Sequence, residues 1–353
     1  MSNFLKSMIK TTGNSMASLV SDGNENDTTS FINTGSMVFN ALISGSLYGG
    51  MPDNKILALA GESGVGKTFF ALNFVFSFLK EKKDGVVMYF DTEGAVSSEM
   101  IVERGIPTNR IAIVPLSTVE QFRKQAFDIV DAYLKLPIED RKPLMLVLDS
   151  LGLLASEKEV SDVAEGKEVA DMTRAKKIRS LFRILTLKLA QAKIPLIITN
   201  HTYQTLSLYS TKVMNGGEGL RFSASTIVFL SKKKEKDSNN NVVGNVIHCT
   251  TYKSRFTKEN QQVDTLLMFD NGLSKYYGLL EIAEKYEIFK KVSTRYELPD
   301  GSKVFGKEIN ENPEKYFTPE VMQKLELAVK KEFCYGQGDL KSQQVKNTEI
   351  KEE

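Results

Sequence analysis

Cysteine is almost missing from this 353-residue chain: Cys249 and Cys334 are the only two. Two thiols cannot build a disulfide framework, so a reducing, cytoplasmic compartment is expected. Histidine is as scarce, with His201 and His248 alone. His248 stands beside Cys249 in a β-prone run with no second ligand at metal spacing, so a packed or half-exposed strand residue is expected there. Long apolar runs are missing as well. The longest aliphatic stretches, such as Leu144 to Leu148, are far too short to span a bilayer. The opening segment MSNFLKSMIK has no apolar core of a secretory signal. Net charge is small too: 46 Lys plus Arg against 44 Asp plus Glu leaves +2. Nucleic-acid binding is not excluded by that balance, but any basic surface must be local. No internal repeat is visible.

What is present is ordinary globular material, 41% hydrophobic and 25% charged. The length suits one large domain or a core with a smaller companion. Residues 1–33 are polar and read as an arm and linker, with a weak amphipathic stretch at Phe4, Leu5, Met8 and Ile9. From Thr34, short apolar runs alternate with longer amphipathic ones. Ile56–Ala60, Val86–Phe90, Ile111–Val114, Leu144–Leu148 and Pro195–Thr199 read as strands covered on both faces. Val119, Phe122, Ala126, Ile129, Val130 and Tyr133 recur at helical spacing between two of them. The expected fold is α/β, a mainly parallel twisted sheet flanked by helices. After residue 222 the texture shifts. Ser225–Leu230, Val242–Thr251 and Val263–Phe269 read as strands around a charged, Asn-rich turn, so the sheet is expected to finish antiparallel. Residues 34–272 are then the core, 273–335 a small C-terminal unit, and 336–353 a solvated tail.

The strongest chemical signal is Gly61-Glu62-Ser63-Gly64-Val65-Gly66-Lys67-Thr68, which fits G-x-x-x-x-G-K-[ST] between a strand and a helix. Glycines let backbone N–H groups turn around phosphate oxygens, helped by the positive end of the helix. Lys67 is expected to neutralise the β- and γ-phosphates of ATP, and Thr68 to place its hydroxyl on Mg²⁺. Asp149 ends the apolar run from Leu144. It either holds the Mg²⁺ beside Thr68 or serves as a turn residue. Asp91 and Glu93 end another strand. Either they cap the next helix, or Glu93 polarises an attacking water.

With these residues the chain resembles the RecA family of recombinases, and within it the phage UvsX-type subgroup. Phe31-Ile32-Asn33-Thr34-Gly35-Ser36 resembles the family's entry strand, and Phe90-Asp91-Thr92-Glu93-Gly94 the segment with its catalytic glutamate. Asp171 to Lys176, Ser180 to Ile184, and Asn200-His201-Thr202-Tyr203 resemble segments around the two DNA loops. The likeness runs from about Phe31 to Leu280. It implies a RecA-type P-loop ATPase core, with the N-terminal arm used for oligomerisation. It implies a DNA-dependent ATPase that forms a helical filament on single-stranded DNA and exchanges strands with double-stranded DNA. A loading mediator and a single-strand-binding protein are the implied partners, in the host cytoplasm if the chain is phage-encoded. A hexameric helicase-type motor on the same core is the rival reading.

In that resemblance Glu93 is the general base, and ATP lies between neighbouring subunits. Lys253 and Arg255 then reach the neighbour's nucleotide in trans, as an arginine finger does. His201 stands where bacterial relatives carry a γ-phosphate-sensing glutamine. Ser97 and Met100 stand at the adenine-contacting positions. The DNA loops map to 151–169 and 202–221. The first carries Lys158 and Lys167; the second carries Tyr203, Lys212, Gly216, Gly217 and Arg221. Gly pairs let amides approach phosphates, cations supply charge, and Tyr can stack on bases. On the helix from Ala170 to Ala192 most cations read as a solvated face, with Arg174 and Lys176 nearest the DNA.

Overall fold

Six-residue strands that are buried throughout, bounded by amphipathic helices, put the centre of this chain in a doubly covered sheet. The computed structural model describes residues 2–14, 17–23, 27–167, 173–204, 212–216, 218–236, 239–269 and 272–336. It opens with α1 (Ser2–Thr11), whose Phe4, Leu5 and Met8 are exposed. β1 (Phe31–Ile32) then pairs antiparallel, across α2 (Met37–Ser44), with β2 (Met51–Pro52). Buried Asn40 of α2 accepts from the Thr34 N–H at 2.8 Å and donates to the Leu47 carbonyl at 2.9 Å, which closes this unit.

Strand and helix alternate from there: β3 (Ile56–Gly61), α3 (Lys67–Glu81), β4 (Val86–Asp91), α4 (Ser98–Glu103), β5 (Ile111–Pro115) and α5 (Val119–Lys135). β6 (Leu144–Asp149), α6 (Glu157–Ala164), α7 (Arg174–Ala192) and β7 (Leu196–Gln204) continue the pattern. β3, β7, β6, β4 and β5 are consecutive parallel neighbours. Along β3, Leu57 and Leu59 face a cluster with Phe39, Phe70 and Phe74, while Ile56, Ala58 and Ala60 face Phe90, Phe122 and Phe182. This alternation is why both faces of the strand are apolar. α5 starts from a capping box in which Thr118 and Gln121 satisfy each other's backbone N–H groups.

β8 (Lys212–Met214) folds back antiparallel on the end of β7, and α8 (Glu218–Ser223) leads into β9 (Thr226–Lys236). β9 is parallel to β3, and β10 (Val242–Ser254), β11 (Gln262–Met268) and β12 (Gly272–Leu273) finish the sheet antiparallel as expected. The remainder is α9 (Leu279–Lys285), a three-stranded sheet of β13 (Lys290–Val292), β14 (Arg295–Glu297) and β15 (Lys303–Phe305), then α10 (Gly306–Glu311), α11 (Pro313–Tyr316) and α12 (Pro319–Phe333). Leu279, Leu325 and Val329 of this unit join the cluster around α2 and α3. No helix among the described residues is long and apolar enough to cross a membrane.

Three elements outrun their expected bounds. β9 continues through Lys232–Lys236, where a charged turn is expected, because it stays paired with β10 beyond the end of β3 while its own side chains there are largely exposed. β7 continues to Gln204, so Thr202 and Tyr203 are paired with β8 rather than lying in a loop. The expected first loop contains α6, stabilised by its own capping box at Ser156 and Glu159. Residues 168–169, 205–211 and 217 of the expected loops, and 337–353 of the tail, lie outside the described residues.

Candidate nucleotide and DNA site

β3 delivers the phosphate loop at its carboxyl end. Gly61 is required by contact: a Cβ there would lie 2.7 Å from the Leu230 carbonyl oxygen on β9. Gly66, with φ of 105°, takes a left-handed turn that side chains resist, and so aims the first amides of α3 into the loop. Lys67 is buried, and its Nζ donates to the Gly61 carbonyl at 3.0 Å and to the Glu62 carbonyl at 2.9 Å. Burial lowers its pKa, against the opposing pull of Glu93 and Asp149. Thr68 follows in the first turn of α3. This donor set fits a triphosphate: a buried ammonium and the backbone amides that begin α3. No three His, Cys, Asp or Glu residues among those described could hold a metal by themselves. The Thr68 hydroxyl and the Asp149 carboxylate are oxygen groups of the kind Mg²⁺ takes as ligands.

The two carboxylates at the end of β4 separate cleanly. Asp91 accepts from the backbone N–H groups of Glu93 at 3.0 Å, Gly94 at 2.9 Å and Val96 at 3.3 Å, and is a turn residue. Glu93 points elsewhere. Its Oε1 accepts from Ser150 Oγ at 2.9 Å and lies 3.1 Å from His201 Nε2. Burial pushes the Glu93 carboxyl up, but hydrogen bonds from His201 and Ser150 and the charge of Lys67 hold it below the usual carboxylate range. Asp149, at the end of β6, accepts from Tyr89 Oη at 2.7 Å and from Thr199 Oγ1. Burial and the Asp149 charge raise the Tyr89 phenol well above its ordinary pKa, so it stays a donor.

His201 ends β7's contact with β3 and stands where the segments around Gly152 and Asn215 converge. The His201 carbonyl accepts from the Asn215 N–H at 2.9 Å, and Asn200 Nδ2 donates to the Asn215 carbonyl at 2.7 Å. Asn215 Nδ2 and Arg174 Nη2 both donate to the Gly152 carbonyl, at 3.2 and 2.9 Å. Residue 152 of the first loop, 215 of the second and the nucleotide-side strand are thus one hydrogen-bonded knot. A Cβ at Gly152 would sit 3.0 Å from Asn200 Oδ1.

The remaining sequence-derived residues fall into two groups. Exposed ones include Lys176 on α7 and Tyr203 on β7. Lys212 opens β8, and Gly216 follows it with φ of 88°. Gly217 is outside the described residues. Engaged ones include Arg174, which also donates to the Leu154 carbonyl at 2.5 Å and so pins the first loop. Lys158 and Lys167 pair with Asp162 and Glu165. Arg221 pairs with Glu218 at 3.1 Å and lies over the Tyr252 ring. Lys253 Nζ donates to three carbonyls at the end of α8, and Arg255 Nη2 approaches the Phe222 carbonyl at 3.5 Å. Ser97 caps α4 by accepting from the Met100 N–H at 3.2 Å.

Two polar groups escape sequence reasoning. Lys232 Nζ donates to the Gly64 carbonyl at 2.5 Å and braces the phosphate loop from the ribbon. Arg104 stacks on Phe69, with centroid distance 4.6 Å, at a cavity of about 440 Å³ that Phe76 and Phe269 also line. Its Nε is buried without a partner among the described residues. Neither residue carries a motif; only the folded packing brings Lys232 to the phosphate loop and Arg104 to its cavity.

Residues 1–274 match the RecA N-terminal domain family. The chain is 33% identical over 246 residues to the "Recombination and repair protein" of Enterobacteria phage T4, covering 70% of this chain and 61% of that protein. The matched part thus spans about three fifths of that relative's length. It is 25% identical over 263 residues to "Protein RecA" of Malacoplasma penetrans, covering 74% and 75% of the two chains. For "Protein RecA" of Mycoplasma genitalium the identity is 26% over 291 residues, 81% of each chain. With its phosphate loop, parallel sheet and loop knot in place, the chain belongs to the RecA N-terminal domain family.

Proposed function

We propose that this protein is an ATP-dependent homologous recombination protein, which coats single-stranded DNA as a helical filament and exchanges strands with a homologous duplex. The observation that carries the proposal is the His201–Glu93 contact, because it joins the candidate hydrolytic carboxylate to the strand that enters the second DNA loop. Lys67 neutralises the β- and γ-phosphates, and the amides of α3's first turn orient them. Mg²⁺, when bound at Thr68 and Asp149, screens charge on the phosphates. Glu93 accepts a proton from the attacking water as general base.

One imidazole N–H cannot serve Glu93 and a γ-phosphate together. His201 in the resting chain therefore holds Glu93 ionised and occupied, and a γ-phosphate that draws His201 away frees the base. The same movement pulls on Asn215, hence on both loops, which is the differential contact a coupling mechanism needs. Tyr203, Lys212, Gly216, Gly217 and Arg221 supply the DNA surface of the second loop, with Lys176 beside the first. Arg174 acts there through the loop it pins. Backbone contacts position DNA without reading bases, so binding is not sequence-specific.

Lys253 and Arg255 act on the nucleotide of the adjacent subunit, and exposed α1 is the arm that links subunits. Residues 273–335 form the small C-terminal unit. The natural setting is the cytoplasm, where a loading mediator and a single-strand-binding protein assist. A strand-exchange assay tests the function: labelled single strand plus homologous duplex should give joint products with ATP and none with Lys67→Ala. Fork unwinding by closed rings, without pairing activity, would contradict it.

A further inference from the structure

Lys253 Nζ lies 2.7 Å from the Arg221 carbonyl oxygen, 3.1 Å from that of Phe222 and 2.8 Å from that of Ala224. An ammonium group has three N–H donors, and here all three are engaged. Their acceptors belong to the end of α8, where helix carbonyls have no partner inside the helix. The strand is shaped for this contact. β10 pairs Thr251 with Val228 and then Lys253 with Ile227, so Tyr252 is an extra residue, and such a bulge re-aims the side chain that follows. Tyr252 itself stacks on Phe229 at 4.7 Å and lies under Arg221.

Burial, and after it the charges of Arg255 and Arg221, lower the ammonium pKa, with only Glu259 opposing. A dense anion brought close therefore has a strong claim on the same group. α8 begins at Glu218, two residues beyond Gly216 of the second loop.

We propose that Lys253 is an exchangeable cap, a positioning residue that holds α8 and the exit of the second loop in the free chain and leaves α8 for the neighbour's nucleotide in the filament. The proposal rests on the trans reading of Lys253 and Arg255 given above. It adds a second route from nucleotide to DNA loop. His201 reports the subunit's own nucleotide at the loop entrance, and Lys253 reports the neighbour's at the loop exit. Three N–H donors cannot serve three carbonyls and a phosphate at once, so capping and trans contact exclude each other.

Hydrogen exchange of the amides of residues 221–225 tests this in filaments on single-stranded DNA, comparing a slowly hydrolysed ATP analogue with ADP. Filament packing is present in both states, and only the γ-phosphate differs. The expected result is exchange roughly tenfold faster with the ATP analogue in the wild type, and no nucleotide dependence in Lys253→Ala. Equal exchange in both wild-type states would overturn the proposal, and so would a nucleotide difference that survives in Lys253→Ala. Mixing Lys67→Ala with Arg255→Ala protein tests the trans reading separately. Recovered ATPase with unchanged α8 exchange removes the exchangeable cap alone, while no recovery removes both.

Discussion

His201 Nε2 and Glu93 Oε1 lie 3.1 Å apart across the carboxyl ends of two strands, β7 and β4, that are separated in the sheet by β6. The contact ties a residue of β7 to the candidate base, and it bears on the pH behaviour of that base. The His201 and Ser150 hydrogen bonds hold the Glu93 pKa below its ordinary value, against burial. Removing the imidazole removes a lowering influence, so the Glu93 pKa must rise. His201→Ala should therefore move the acid limb of the kcat/KM profile, which reports the nucleotide-free enzyme, to higher pH. The same variant should keep nucleotide binding yet lose stimulation by single-stranded DNA, and its DNA affinity should no longer distinguish ATP from ADP. A wild-type affinity ratio would end the coupling role.

Lys67 and Glu93 should fail differently. Lys67→Ala leaves the triphosphate without its main neutralising partner and should abolish ATP binding in a fluorescent-nucleotide titration. Glu93→Gln should bind ATP and form filaments but hydrolyse about 10²–10⁴-fold more slowly, the usual contribution of a general base. Turnover at the wild-type rate would remove Glu93 from the chemistry.

Activity should depend on neighbours. Lys67→Ala protein mixed with Lys253→Ala/Arg255→Ala protein should recover some ATPase at junctions where an intact phosphate loop meets intact cations. If mixed filaments form and no ratio restores activity, the cations do not act in trans.

Binding to DNA should weaken with salt, because phosphate contacts release counterions. Arg221→Ala should flatten the log–log salt dependence by about one contact, without altering sequence preference. The same slope in both proteins would place Arg221 off the DNA.

Tyr89→Phe tests the buried support of the site. The Tyr89 hydroxyl donates to Asp149 at 2.7 Å, and its loss leaves a buried carboxylate one donor short. Such a loss costs about 1–3 kcal/mol, visible as a lower urea midpoint with unchanged slope. A midpoint equal to wild type would mean that Asp149 finds a replacement donor.

Much of this was legible before folding. The phosphate loop carries its own signature, and β3 and β6 read as apolar runs because both their faces are covered. What stayed hidden depends on acceptors the sequence does not display. Asp91 and Glu93 are equal as carboxylates, and only the backbone turn, with three N–H groups on Asp91, assigns one to structure. Arg174 and Lys253 look like free cations until main-chain carbonyls are placed around them. The run Lys232–Lys236 looks like a turn because its own side chains are charged and largely exposed, so no apolar alternation marks it as a strand.

Electron microscopy with single-stranded DNA and a slowly hydrolysed ATP analogue tests the central claim most directly. The account predicts continuous helical filaments that coat the DNA, that form with Glu93→Gln and do not form with Lys67→Ala. Closed rings, or DNA left bare by the wild-type protein in saturating nucleotide, would contradict it.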